Sequence, residues 1–345
     1  MQLLNTLYVT VPGSYLRLDN NTLKVEIERQ LKLQVPLHHL TAVVCFGHVG
    51  VSVPLVHRLA DEGIALVLLD SNGRFKARLE GAISGNVLLR QAQHRRASDV
   101  VFALEIARAC IAGKLKNSRQ SLLRGAREAK SEGDKARLTR GADDLAASLR
   151  ALPGAEDLDK VRGIEGDAAR RYFECLNLLV RSDLRGAFSM DGRTRRPPRD
   201  RMNALLSFVY AMWMNDCRSA IEAAGLDPQI GFLHGVRPGR AALALDLMEE
   251  LRPLADRLAL TLVNRGQLTV KDFCEREGGA FSLESEGRKA VVVAYQERKQ
   301  EELTHPLLAQ PLALGLVPLV QARLLARAVR EETAGYLPWS WYATT

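Results

Sequence analysis

Between Gly231 and Pro253 the chain carries one imidazole and two carboxylates within sixteen residues: His234, Asp246 and Glu249. Apolar residues from Ala241 to Leu251 recur at helical intervals with no breaker, so Asp246 and Glu249, at i and i+3, share one helix face and their carboxylates can converge. His234 lies one short Pro/Gly-containing turn upstream, near enough for the loop to fold its imidazole over that face. A third acid, Glu165, comes from far away in the chain. It opens a helical pattern of period near 3.6 through Ala168, Ala169, Tyr172, Phe173, Leu176, Leu179 and Val180. Two carboxylates and one imidazole form a mixed oxygen and nitrogen donor set, which suits Mg²⁺ or Mn²⁺ with open water positions better than a closed zinc site. Such an ion polarises a phosphoryl oxygen and lowers the pKa of an attacking hydroxyl, as phosphodiester cleavage or strand transfer requires. Acids at i and i+3 on an amphipathic helix are also common on plain solvated faces, so residue types and spacing alone leave both readings open.

The neighbours of these residues narrow the choice. Glu165 to Tyr172 reads Glu-Gly-x-x-Ala-Arg-x-Tyr, Gly231 to His234 reads Gly-x-Leu-His, and Asp246 to Pro253 reads Asp-Leu-Met-Glu-Glu-x-Arg-Pro. In that order the three segments resemble the CRISPR-associated endonuclease and integrase family Cas1, most closely its type I-C members. The resemblance implies that Glu165, His234 and Glu249 are catalytic residues and ligands of Mg²⁺ or Mn²⁺, with Asp246 orienting a ligand or a bound water. It implies insertion of new spacer DNA into a CRISPR array, a 3′-hydroxyl of the incoming DNA attacking a repeat phosphodiester. The partners it implies are protospacer and repeat DNA, a second copy of the chain, the small Cas2 protein that bridges two dimers, and a Cas4 nuclease. One position departs: Ala242 stands where the family often has serine ahead of the acidic helix, so a side-chain cap is expected to be missing there. Two rival functions share these residues. One is a stand-alone metal-dependent nuclease on branched DNA; the other is a catalytically inactive DNA-binding scaffold, which the intact Glu, His and Glu argue against.

The 345 residues exceed one ordinary domain, and 47% hydrophobic with 26% charged residues is the balance of a soluble globular protein. A formal net charge of +8 points to a polyanionic partner. Five scattered cysteines with no Cys-x-x-Cys pair fit neither a disulfide framework nor a zinc knuckle, and a reducing cytoplasm is the expected home. The opening residues alternate like a strand and lack the basic head and apolar core of a signal peptide. The apolar run from Pro306 to Val320 is interrupted by prolines and falls short of a bilayer span.

The expected fold class is α+β: an N-terminal antiparallel β-sandwich over 1–85, serving dimerisation, followed by a larger all-α catalytic domain over 86–345. Strands alternate through Tyr15–Leu18, Leu23–Ile27 and Leu31–Val35, and Asn72-Gly73 signals a hairpin. His38, His39, His48 and His57 match no ligand spacing and are read as ordinary surface or core residues. Val87 to Ala112 reads as one helix, and 124–150 as exposed helices with little core. The Phe281–Leu283 and Ala290–Val293 runs read as a short hairpin. The basic loop from Gly186 to Met202 carries Arg193, Arg195, Arg196, Arg199 and Arg201 around two prolines and is read as an arginine clamp on DNA, with Arg195 and Arg196 at its tip. Arg170, Arg237, Arg240 and Arg252 flank the acidic cluster and are further candidates for phosphate contact.

Overall fold

The computed structural model describes residues 6–70, 75–79, 81, 87–194 and 196–341. The chain starts with β1 (Thr6–Val9) and then makes an antiparallel run, β2 (Tyr15–Asp19), β3 (Thr22–Ile27) and β4 (Gln30–Pro36). Cross-strand pairs Leu16 with Val25 and Leu18 with Leu23 set its register, and Asn20 takes the left-handed conformation (φ 53°) that the tight turn needs. Then come β5 (Ala42–Phe46), β6 (Gly50–Val51), α1 (Val53–Asp61), β7 (Ala65–Leu69) and β8 (Phe75–Leu79).

The strands form two four-stranded sheets, β4-β3-β2-β6 and β1-β5-β7-β8. The pairing is mixed rather than antiparallel throughout: β1 with β5, β5 with β7 and β2 with β6 are parallel. The reason lies in the connections. A complete hairpin run in the other sheet separates β1 from β5, and α1 crosses over between β5 and β7, which returns the chain in the same direction. The expected hairpin across Asp70 is present as the antiparallel β7–β8 pair, its tip lying outside the described residues. Leu16, Leu23 and Val25 of one sheet, Val43, Cys45 and Leu66 of the other, and Leu55 and Leu59 of α1 make a small core. The opposite side of the second sheet belongs to the main core: Val44, Phe46, Val67 and Leu69 pack with the helices, and Phe46 lies 5.2 Å from Phe208 between ring centres.

The remainder is mainly helical: α2 (Val87–Ser98), α3 (Val100–Glu128), α4 (Glu132–Ala151), α5 (Leu158–Leu179), the single turn α6 (Arg185–Phe188), α7 (Arg201–Ala223) and α8 (Ala242–Asn264). After the hairpin β9 (Phe273–Arg276) and β10 (Ala280–Leu283) come α9 (Ser285–Gln300), the hairpin β11 (Glu302–His305) and β12 (Gln310–Ala313), and α10 (Val317–Val329). The larger part is therefore helical with two inserted hairpins rather than all-α.

Three local expectations are corrected. The helix from Val87 is broken at Asp99, whose carboxylate accepts the Val101 and Phe102 N–H groups and so starts α3 afresh. Helix α4 is less exposed than its charge suggests, since Leu138, Ala142 and Leu145 are fully buried. Gly125 of α3 marks a close contact there rather than an interruption, because a Cβ would stand 2.1 Å from Leu179 Cδ2. Lastly, Ala290–Val293 is part of α9 and not a strand, while Phe281–Leu283 pairs with β9 instead. Burial of Val291, Val292 and Tyr295 on one helical face overrides the β-branched preference. Among the described residues no helix is long and apolar enough to cross a membrane.

Candidate active site

Helices α3, α5 and α8 and the loop before α8 bring the sequence-selected residues together. The Asp157 carboxylate accepts the Lys160 N–H at 2.7 Å and starts α5, so Glu165 sits seven residues inside the helix rather than at its opening. Helix α8 begins at Ala242, so its N-cap is Ala241 rather than Ala242, and there is no side-chain cap; the Leu243 N–H is taken by the Pro228 carbonyl at 2.9 Å.

Asp246, 1% exposed, fixes the histidine loop. Its carboxylate accepts the backbone N–H groups of Phe232 (2.6 Å), Leu233 (3.0 Å) and His234 (2.9 Å), and its Oδ1 lies 2.7 Å from His234 Nδ1. The loop can close this tightly because residue 231 is glycine: a Cβ there would stand 2.7 Å from Asp246 Oδ2. The contact at Nδ1 orients the ring so that its other nitrogen, Nε2, faces Glu249 Oε1 at 4.0 Å. Arg162 of α5 donates to the Leu233 carbonyl through Nε (3.1 Å) and Nη2 (2.6 Å), tying the loop to the Glu165 helix.

Glu249 is buried, and burial by itself pushes its carboxyl pKa up. The opposing charges of Arg252, Lys114 and His234 win and hold it down at about 2. Arg252 Nε donates to Glu249 Oε1 at 2.9 Å, and its guanidinium lies 5.1 Å from the centre of the Tyr210 ring. Lys114 of α3 completes the cluster. Its ammonium pairs with Glu165 Oε1 and lies 2.7 Å from Glu249 Oε2. Among the described residues no three His, Cys, Asp or Glu side chains are close enough to hold an ion as they stand, since the ammonium lies between the two carboxylates. The donor chemistry nevertheless fits a hard divalent ion. Two carboxylates converge on one cationic position beside an imidazole nitrogen, and Glu249 Oε2 is buried without a well-angled hydrogen bond.

The other basic candidates lie differently. Arg170 is exposed and pairs with Asp167 (2.8 Å) and Glu174 (2.7 Å) on its own helix. Arg237 is exposed and Arg240 half-buried on the loop beyond His234. In the basic loop, Arg195 lies outside the described residues and Arg196 is exposed. Three other arginines of that loop are staples. Arg193 donates to Asn203 Oδ1 and Ser207 Oγ, Arg199 to the Gly278 carbonyl, and Arg201 to the Ala187 carbonyl. Each of these three guanidinium groups therefore makes at least one hydrogen bond within the protein, which anchors the loop to its surroundings.

Lys114 is not among the residues that motif and spacing select. The available signal was its position beside a buried stripe of α3, Cys110, Ile111, Leu115 and Ser118, where a solvated lysine is out of place. Sequence reasoning also left the aromatic tail undecided; the tail folds back onto this chain. Tyr336 O–H and the Trp339 N–H donate to the Glu250 carboxylate, and Asn117 bridges Trp339, Trp341 and the Glu250 carbonyl. This seats the tail between α3 and α8, next to the residues that carry Lys114 and Glu249.

A family model described as CRISPR associated protein Cas1 matches residues 7–297. The chain is 55% identical over 338 residues to CRISPR-associated endonuclease Cas1 1 of Moorella thermoacetica, covering 98% of both chains. It is 49% identical over 345 residues to CRISPR-associated endonuclease Cas1 2 of Rhodospirillum rubrum, covering 99% of both. It is also 36% identical over 338 residues to a CRISPR-associated exonuclease Cas4/endonuclease Cas1 fusion of Geobacter sulfurreducens, covering 96% of this chain and 59% of the fusion. Two solved structures share the fold: a Cas6-RT-Cas1–Cas2 complex (TM-score 0.84, 24% identity, 99% of this chain and 36% of that one) and a CAS1 protein from Thermotoga maritima (0.80, 24%, 94% and 97%). The match over most of the chain and the identity to full-length relatives make this chain a member of the Cas1 family of CRISPR-associated endonucleases.

Proposed function

We propose that this chain is a metal-dependent DNA endonuclease and integrase that joins the 3′-hydroxyl of a protospacer to a repeat phosphodiester. The observation that carries the reading is the meeting of Glu165 and Glu249 at one ammonium, with His234 Nε2 4.0 Å from the other oxygen of Glu249 and its ring set by Asp246. Mg²⁺ or Mn²⁺ held there by Glu165, His234 and Glu249 would polarise the phosphoryl oxygen and lower the pKa of the attacking hydroxyl. The chain's own residues do the positioning. Asp246 holds the His234 ring in place through Nδ1, Arg252 keeps Glu249 ionised, and the buried walls of α3 and α8 exclude bulk water. No protein nucleophile is needed, because the attacking oxygen belongs to DNA.

In this reading residues 1–85 pair two copies and residues 86–345 carry catalysis and DNA. Exposed Leu31 (50%) and Leu33 (44%) on the edge strand β4 support a role in pairing, since an apolar sheet edge calls for a cover. Cas2 as a partner is supported by the likeness to a Cas1–Cas2 complex, and Cas4 by the relatives in which Cas4 and Cas1 are fused. Cys45, Cys110, Cys175, Cys217 and Cys274 are all free thiols, in keeping with work on DNA in the cytoplasm.

The test is strand transfer with a short duplex bearing free 3′ ends, a supercoiled plasmid carrying repeats, Mg²⁺ or Mn²⁺, and protein with and without Cas2. Plasmid-linked product that needs both metal and His234, and vanishes in His234→Ala, is the expected result. Metal-dependent nicking without joining would reduce the function to a nuclease. Indifference to both metal and His234 would leave a DNA-binding scaffold.

A further inference from the structure

Lys114 bridges the two carboxylates at the centre of the site, and nothing in the mechanism above uses it. Its ammonium contacts Glu165 Oε1 and stands 2.7 Å from Glu249 Oε2, with the side chain 12% exposed. Two carboxylates turned toward each other in a poorly solvated site repel strongly, and one lysine offsets that repulsion in the metal-free protein. An ammonium and a divalent ion cannot share the same pair of oxygens. The lysine must back away when the ion enters, and the fold leaves room: a small cavity of about 30 Å³ opens beside it, lined by Ser118, Glu165, Tyr210 and Arg252. That volume takes one water-sized group, enough for Nζ to withdraw on its flexible stem while α3 stays where it is.

We propose that Lys114 is an exchangeable counter-cation of the active site: it holds the metal position in the metal-free protein, yields it to the divalent ion, and then contacts a non-bridging oxygen of the scissile phosphate as a catalytic residue. The inference rests on the metal-dependent reading of this site. Lysine suits both states because its charge is a compact point on a mobile stem. Arg252 is less free to exchange, being 8% exposed, hydrogen-bonded to Glu249 and packed on Tyr210.

The experiment titrates Mn²⁺ into DNA-free, full-length protein, reading free Mn²⁺ by electron paramagnetic resonance and binding by calorimetry. It compares wild type, Lys114→Met, Lys114→Gln and Lys114→Arg. Removing the competing charge is expected to tighten Mn²⁺ binding by about tenfold in Lys114→Met and Lys114→Gln and to enlarge the Mn²⁺-induced rise in Tm. At saturating Mn²⁺ the same two variants are expected to lose about a hundredfold in strand-transfer rate, with Lys114→Arg recovering part of it. Unchanged or weaker Mn²⁺ binding in both neutral variants overturns the exchange. Full strand-transfer rates at saturating Mn²⁺ overturn the phosphate contact. Wild type that binds no Mn²⁺ overturns the metal reading itself and this inference with it, an outcome distinct from wild type that binds Mn²⁺ no differently from Lys114→Met.

Discussion

At the scale of single residues, the site is governed by which acids are held charged and which are not. Glu249 is kept ionised by Arg252 and Lys114 in spite of its burial. Asp256, seven residues further along α8, has the opposite fate. It accepts the hydroxyls of Tyr172 and Tyr210, but burial outweighs these hydrogen bonds and raises its pKa from 3.8 to about 6. A carboxyl whose pKa is higher in the folded than in the unfolded protein stabilises the fold below its unfolded value, and that contribution is lost as pH rises through the folded one. Metal-free protein is therefore expected to lose about 3 kcal/mol at most from this group between about pH 4 and pH 6. Asp256→Asn keeps an acceptor for one tyrosine and has no charge to bury. Urea unfolding across that range is expected to show a flatter profile for the variant; parallel profiles would mean that Asp256 titrates normally.

At the scale of elements, the candidate site is a junction of α3, α5 and α8, and two devices hold the junction. The first is the loop before α8, bound to α5 by Arg162 and to α8 by Asp246. The second is the C-terminal tail, which ties Asn117 of α3 to Glu250 of α8 through Trp339, 1% exposed. Trp339→Ala is expected to cost about 3–5 kcal/mol in urea unfolding, because a large buried side chain leaves a cavity behind. It should also weaken Mn²⁺ binding at temperatures where the protein remains folded. Leu16→Ala, in the small core of the N-terminal sheets, destabilises through the same kind of cavity and should leave Mn²⁺ binding unchanged. Equal effects of the two variants on Mn²⁺ would remove the tail from the positioning of the site.

At the scale of the whole molecule, the net charge of +8 favours a polyanionic partner, but several arginines are paired within the fold. Arg193, Arg199 and Arg201 secure the basic loop to its surroundings, and Arg170 is balanced by two acids. Arg196 of that loop is exposed. If it meets a phosphate, Arg196→Ala will weaken DNA binding at every sequence and reduce the slope of log affinity against log salt by about one. An unchanged slope would remove Arg196 from the DNA surface.

The sequence by itself determined the family, the residues of the candidate cluster and the pairing of β2, β3 and β4, because each is written in contiguous residues. Glu165 to Tyr172, Gly231 to His234 and Asp246 to Pro253 are local patterns, and period-two alternation with an Asn turn is a local signal as well. Tertiary structure decided what depends on partners remote in sequence. The parallel pairs of β1, β5 and β7 follow from a crossover and an intervening hairpin run, and α9 is helical because Val291, Val292 and Tyr295 are buried on one face. Lys114 meets Glu165 from 51 residues away, and Trp339 meets Glu250 from 89. The apolar stripe of α3 marks Lys114 as out of place for a solvated lysine, but that it stands between two carboxylates is decided by which helices pack against its own.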